Sequence, residues 1–302
     1  MAAICCMLCL SGLTFAEVTE VQPIKGSLTG SKKDYQKATK DEVVLANFTN
    51  IFKESSYDKL PAGYKIGAYE STNLVVVGLT DELALDISNA CYQQLVDTFT
   101  KANVKVKILD RATVEANKTY QKGLKKGGGI NSGTVYTIAG SNRTEPNYKM
   151  AVPANVLNVN LGSGIAPNYV IFNWEVTKDT DALDINYIPQ FSFAEISTQI
   201  TTALAQNLNV GYAPKLTLNA GSELLGKSAL NFMNGKYASY AITNPTLTYD
   251  GADWVKSLTY SEADTYFKLE LEPENFKKAV LELNQAFAER YVAEFQNSLN
   301  SK

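Results

Sequence analysis

One pattern in the sequence could hold a phosphate. Gly221, Gly226, Lys227 and Ser228 match G-x-x-x-x-G-K-[ST], between a strand-like stretch at 215–219 and a helix-like one at 222–234. In such a loop the backbone N–H groups wrap the phosphates, Lys227 reaches the β and γ oxygens, and Ser228 binds Mg²⁺. Three features oppose this. Glu223 sets a carboxylate beside the phosphate position, Leu224 and Leu225 crowd the backbone, and no apolar strand ending in a magnesium-binding Asp follows. We read the segment as a helix capped by Ser222 and closed by Gly235. Asp179, Asp181 and Asp184 form a second cluster. Without the Gly and terminal Glu of a calcium loop, they read as a solvated loop or strand face. Gly127, Gly128 and Gly129 beside Lys125 and Lys126 have the composition of an anion nest, and more simply of a linker. Asn47, Asn117 and Asn142 each open an Asn-x-Thr sequon, which matters only in a host that glycosylates.

The absences narrow the chemistry further. The chain has no His, which removes Ser-His-Asp and Cys-His nucleophiles and His-based zinc sites. Carboxylate-pair hydrolysis and oxygen-ligated calcium survive that test. Cys5, Cys6 and Cys9 lie in the first ten residues, leaving Cys91 as a single thiol that reads as buried and inert. A net charge of −3 suggests neither a nucleic-acid footprint nor a polybasic membrane patch. No catalytic, cofactor-binding or metal-binding residue is assigned, and the reading is of a protein without enzymatic activity or small-molecule cofactor.

Residues 1–16, MAAICCMLCLSGLTFA, are apolar, uncharged and end in small residues before Glu17. They read as a secretory signal cleaved after Ala16, although no Lys or Arg precedes the apolar run. Cys5, Cys6 and Cys9 follow Ile4, Cys5 and Leu8, none of them the small residue a lipidation site needs, so no lipid anchor is expected. Beyond residue 16, no apolar run reaches the length of a membrane-spanning helix.

Residues 17–40 are polar and Lys-rich and read as an exposed arm. From 41 to 53, Val44, Phe48, Ile51 and Phe52 recur at helical spacing and predict a short amphipathic helix. Strands are expected at 64–70 and 73–78. Thr80 then caps a helix whose Leu83, Ile87, Cys91, Leu95 and Phe99 repeat every four residues. Val104, Val106 and Ile108 alternate with Lys105 and Lys107 as a half-buried strand, and Asp110 caps a second helix to about Lys122. The crossover from Leu74 to Ile108 suits a parallel pair. After a Gly-rich break at 123–133 the texture turns to short strands: 135–138, 157–161, 169–176, 183–187, 195–202 and much of 237–271. Pro189 and Pro214 mark interruptions or edges. Pro273 opens a last helix with Phe276, Val280, Leu283, Phe287, Tyr291 and Phe295 in one stripe. The fold class is α+β: a strand-helix-strand-helix unit over 41–125, then a β-rich half over 134–302 ending in that helix, all in one domain.

The run LVVVGL, the long helix, VKVKILDR leading into ATVEANKTYQK, and the later YVIFNWEV resemble the CsgG-like family and its relative, the TolB amino-terminal domain. The likeness covers 64–122, 169–176 and otherwise the order of elements. The chain lacks a lipobox Cys and an Asp-x-x-Thr-Gly phrase. The resemblance implies a periplasmic, outer-membrane-associated protein that assembles into homo-oligomeric rings with envelope partners, and it carries over no catalytic residues. In the curli-secretion member, each subunit adds two hairpins to a β-barrel. Residues 134–165 and 179–212 are the segments that could supply such hairpins. Ile196, Thr198, Ile200, Thr202 and Leu204 share one register, a period that equally suits a soluble antiparallel sheet with one wet face. We expect an exported assembly or secretion component. The alternative is a secreted hydrolase or carbohydrate-binding protein using carboxylates and aromatics.

Overall fold

The fold is organised by two stretches buried on both faces. Every residue from Val43 to Phe52 is buried, across strands Glu42–Phe48 (β3) and Asn50–Lys53 (β4). So is every residue from Leu183 to Phe191, across Leu183–Tyr187 (β12) and into Gln190–Ile200 (β13). In this computed structural model the described residues are 17–22, 24–59, 71–141, 145–161, 172, 175, 182–200, 208–219, 230–234, 238–243, 246–261 and 266–300.

The two stretches run side by side and parallel. β12 pairs with β3, β13 pairs with β4, and the bonds Thr49 N–H to Tyr187 O (3.2 Å) and Ile51 N–H to Pro189 O (3.0 Å) carry the ladder between them. Each chain therefore passes from one sheet into another without losing its partner. The seven-stranded sheet has the order Glu17–Gln22 (β1), Thr246–Asp250 (β17), Leu208–Asn219 (β14), β13, β4, Tyr148–Val152 (β10) and Thr134–Ile138 (β9). The six-stranded sheet has the order Lys25–Thr29 (β2), Ala238–Thr243 (β16), Leu230–Asn234 (β15), β12, β3 and Lys105–Ile108 (β7). A four-stranded sheet is built from Val255–Ser261 (β18), Tyr266–Leu271 (β19), Ser71–Val77 (β6) and Ser55–Lys59 (β5). Gly129–Asn131 (β8) pairs with Asn158–Asn160 (β11).

Helices Asp81–Lys101 (α2) and Pro273–Asn300 (α5) pack against each other and against these sheets. α2 begins where Thr80 Oγ1 accepts the Leu83 N–H at 3.1 Å, with Asp81 and Glu82 in the positive first turn. It ends at Asn103, whose left-handed φ of 59° lets the Val104 N–H reach back to Phe99 O at 2.9 Å. Ile87, Cys91, Leu95 and Phe99 are fully buried, as are the six residues of the α5 stripe. The shorter helices include Lys32–Tyr35 (α1), Arg111–Ala116 (α3) and Lys118–Leu124 (α4). α3 and α4 lie over the other face of β3, where Val44, Val114, Tyr120, Val159 and Leu161 form a second apolar cluster.

The α+β class and the closing helix stand as the sequence implies. Several finer expectations do not. Residues 41–53 form β3 and β4, not a helix; burial on both faces removes alternation and leaves apolar spacing that mimics a helical stripe. The polar arm at 17–40 holds β1, β2 and α1, because β1 and β2 dock on β17 and β16 at sheet edges. β6 and β7 are not a parallel pair: β6 pairs with β19 and β5, and β7 pairs with β3. The helix after Asp110 breaks at Asn117, whose Oδ1 caps the next one through the Thr119 and Tyr120 N–H groups. The Gly-rich break at 123–133 contains β8. The helix expected at 222–234 is strand β15 in its described part, drawn into the ladder between β12 and β16. The strand at 64–70 lies outside the described residues. Of 169–176, Phe172 and Glu175 are described and are helical, so that strand is not supported. Residues 1–16 are also outside. Among the described residues, no helix is long and apolar enough to cross a membrane.

α5 is held by polar anchors as well as apolar area. The Tyr187 hydroxyl donates to Asn284 Oδ1 (2.9 Å), and Asn284 Nδ2 donates to Gln94 Oε1 (2.8 Å) and Cys91 O (3.2 Å). All of Tyr187 and Asn284 is buried. Replacing Asn284 by Ala strands the Tyr187 hydroxyl without its partner. Urea unfolding of Asn284→Ala is expected to show a loss of about 2–3 kcal/mol, and Asn284→Asp an equal or larger loss.

Candidate functional site

The element that stands apart from the sheets is the far half of the β13–β14 hairpin. β4 pairs with β13 only at Gln190, Phe191 and Ser192, and β17 pairs with β14 only from Leu216 to Asn219. Beyond Phe193 the register shifts: Ala194 on β13 stands opposite Pro214 and Lys215 on β14, a bulge placed where Pro cannot donate to a ladder. Past it, six further rungs join Glu195 with Ala213 through Ile200 with Leu208. Among the described residues these rungs pair only with each other. They form a two-stranded ribbon about 17 Å long whose two backbone edges are open among the described residues.

The bulge also changes which positions are apolar. On β13, Phe191 and Phe193 face the core, packing against Phe52, Phe276 and Trp254. In the ribbon the apolar positions have the opposite parity. Ile196 with Tyr212, Thr198 with Val210, and Ile200 with Leu208 share one face. Glu195 with Ala213, Ser197 with Gly211, and Gln199 with Asn209 share the other. The ribbon face was legible as the alternation at 195–204, and Pro214 marked the bulge. The pairing partners and the isolation from β4 and β17 were not legible.

The other sequence candidates do not assemble into a site. Residues 221–228 lie outside the described residues. The strand from Leu230 leaves no room for the long helix that must follow a phosphate-cradling lysine. Asp179 and Asp181 also lie outside, and Asp184 is buried on β12, not solvated as expected. Among the described residues, no group of acidic or Cys side chains is disposed to hold a metal ion. Gly128 is a packing position: a Cβ there would lie 2.5 Å from Asn160 O, which fixes β8 against β11. Asn47 is fully buried, Asn117 is a cap, and Asn142 is outside the described residues. Cys91 is buried among α2 contacts, and burial pushes its thiol far above the ordinary range.

A charged cluster that sequence reasoning missed sits where β10 meets the start of α2. Lys149 is nine-tenths buried, and its ammonium donates to Leu79 O (2.9 Å) and Asp81 Oδ1 (2.7 Å), with Glu54 Oε1 at 3.7 Å. Burial holds the Glu54 carboxyl above its usual value, and Asp81 adds to the rise, while Lys149 opposes it. The cluster ties the β4–β5 junction, β10 and α2 together. An open groove of about 600 Å³ runs over α5 near Val18, Leu281 and Ala286. Of its charges, Lys277 pairs with Asp86 and Lys278 with Glu282.

No family model, curated protein or solved structure matches this chain.

The Glu54 geometry sets a sign. A carboxyl raised in the folded chain binds its proton more tightly than in the unfolded chain. Its stabilising contribution is therefore full below the ordinary carboxylate range and is lost as pH rises through the raised value. Urea midpoints measured across that interval are expected to fall with rising pH in the unaltered chain, and this component should vanish in Glu54→Gln.

Proposed function

We propose that the protein is an exported, non-enzymatic assembly or secretion component of the periplasm or outer membrane that forms a homo-oligomeric ring. The observation that carries this reading is the β13–β14 ribbon. Its two open edges would both be satisfied if ribbons from neighbouring copies paired side by side, and a head-to-tail contact of that kind closes into a ring when its rotation allows. The apolar positions would then run continuously around one face of the assembly, and Ser197, Gln199 and Asn209 around the other. The order of elements that resembles the CsgG-like family agrees with such a role.

Light scattering of the chain from Glu17 onward, in plain buffer and in mild detergent, tests the reading. A closed oligomer well above the 33.0 kDa of one full chain is expected. Replacing residues 196–212 with an Asn-Gly turn should reduce it to a single chain while the melting temperature of the body is kept. A monomer in both media for the unaltered ribbon would overturn the proposal.

A further inference from the structure

The net charge of −3 conceals a segregated surface. From Lys105 to Lys126, seven Lys and Arg stand against Asp110 and Glu115 alone, a local charge of +5. All seven basic residues are exposed. Lys107 pairs with Glu42, and Arg111 pairs with Glu115. Among the described residues, Lys105, Lys118, Lys122, Lys125 and Lys126 have no carboxylate within ion-pair distance.

The fold gathers these charges on one side of the six-stranded sheet. Lys107 is in parallel register with Val44, and Lys105 with Glu42. Residues in parallel register share a face. Val44 packs against Val114 and Tyr120, so the two lysines of β7 flank the face that α3 and α4 cover. Lys118 and Lys122 lie one turn apart on α4, and Lys125 and Lys126 follow directly. Between them Leu124 is 39% exposed, one of a few large apolar side chains left in water among the described residues.

We propose that this face binds the surface of an anionic lipid bilayer. Clustered lysines on long, flexible stems around a protruding leucine are what an acidic headgroup layer attracts, the charge supplying affinity and the apolar residue a shallow foothold. Protein interfaces are depleted in Lys, which disfavours a protein partner. Among the described residues of this surface the aromatic Tyr120 is buried and offers no stacking platform to single-stranded nucleic acid. The expectation from net charge that no polybasic patch exists is thereby corrected: acidic residues elsewhere in the chain outweigh it in the sum.

Co-sedimentation of the full chain with phosphatidylcholine vesicles, with and without phosphatidylglycerol, tests the assignment. Binding is expected only with phosphatidylglycerol and should be lost at high salt. Each lysine near such a surface contributes about a fivefold factor, so K118Q/K122Q/K125Q/K126Q should weaken binding at least about 100-fold. Leu124→Ser should weaken it several-fold. The control K32Q/K33Q, at two exposed positions of α1, should bind as the unaltered chain. All these positions are exposed, and an unchanged melting temperature verifies the fold. Three results would overturn the proposal: no binding to phosphatidylglycerol vesicles, equal binding by the quadruple variant, or retention on duplex DNA without retention on vesicles.

Discussion

The hydroxyl groups of Tyr187 and Tyr291 impose the constraint on which the rest of the fold depends. Both tyrosines are fully buried, and burial pushes both hydroxyls far above their ordinary ionisation range, so each stays neutral and needs a partner. Tyr187 on β12 reaches across to Asn284 on α5, and Tyr291 on α5 reaches back to the Asn186 carbonyl at 2.9 Å. The two rings meet edge to face at 5.0 Å, with Phe48 stacked on Tyr187 at 5.3 Å and Phe232 against Tyr291 at 4.7 Å. Apolar packing alone would let α5 slide along the sheet, since dispersion has little direction. Two reciprocal hydrogen bonds between the same pair of elements fix its register.

With α5 fixed on β12, the adjoining strands inherit their course. β12 leads through Ile188 and Pro189 into β13, and β3 leads through Thr49 into β4. The parallel ladder crosses this crease intact, so the six- and seven-stranded sheets share one pair of bent chains. Some of the polar groups on and around these fully buried chains find partners. Ser88 on α2 donates to Asn50 Oδ1 (3.2 Å) and to Ala151 O (2.9 Å), and Asn158 donates to Thr49 Oγ1 (2.8 Å). The crease thus receives support from α2 on one face and from the β11 segment on the other.

How much of this was legible depended on whether an element keeps a wet face. α2 and α5 have one, so their periodicity, the Thr80 cap and the Pro273 start could be read, and both buried stripes emerged nearly residue by residue. β7 was legible for the same reason, as Lys105 and Lys107 alternate with Val106 and Ile108. β3 and β4 have no wet face, and their Val44, Phe48 and Ile51 spacing misled. The Leu74 to Ile108 crossover was long enough for a parallel pair, yet β3 and β19 compete for the same edges. Loop length limits which strands can pair without choosing among them. The Lys149 cluster was illegible because its three charged members come from residues 54, 81 and 149, which only the tertiary fold brings together.

The bulge at Ala194 and Pro214 separates the part of the long hairpin that serves the core from the part that does not. Before it, Phe191, Phe193, Leu216 and Leu218 point into the aromatic core and are buried. After it, the apolar positions of β13 change parity and the extra residue on β14 carries Tyr212, Val210 and Leu208 to that same opposite face, the change that a register slip would impose on a whole strand. A hairpin needed only for stability would gain by ending at Phe193, where its neighbours β4 and β17 end. Six more rungs with alternating apolar positions fix backbone entropy and, among the described residues, pair with no sheet strand on either side. Such an extension is favourable once another surface covers it, and the physical case for an assembly role rests on that cost.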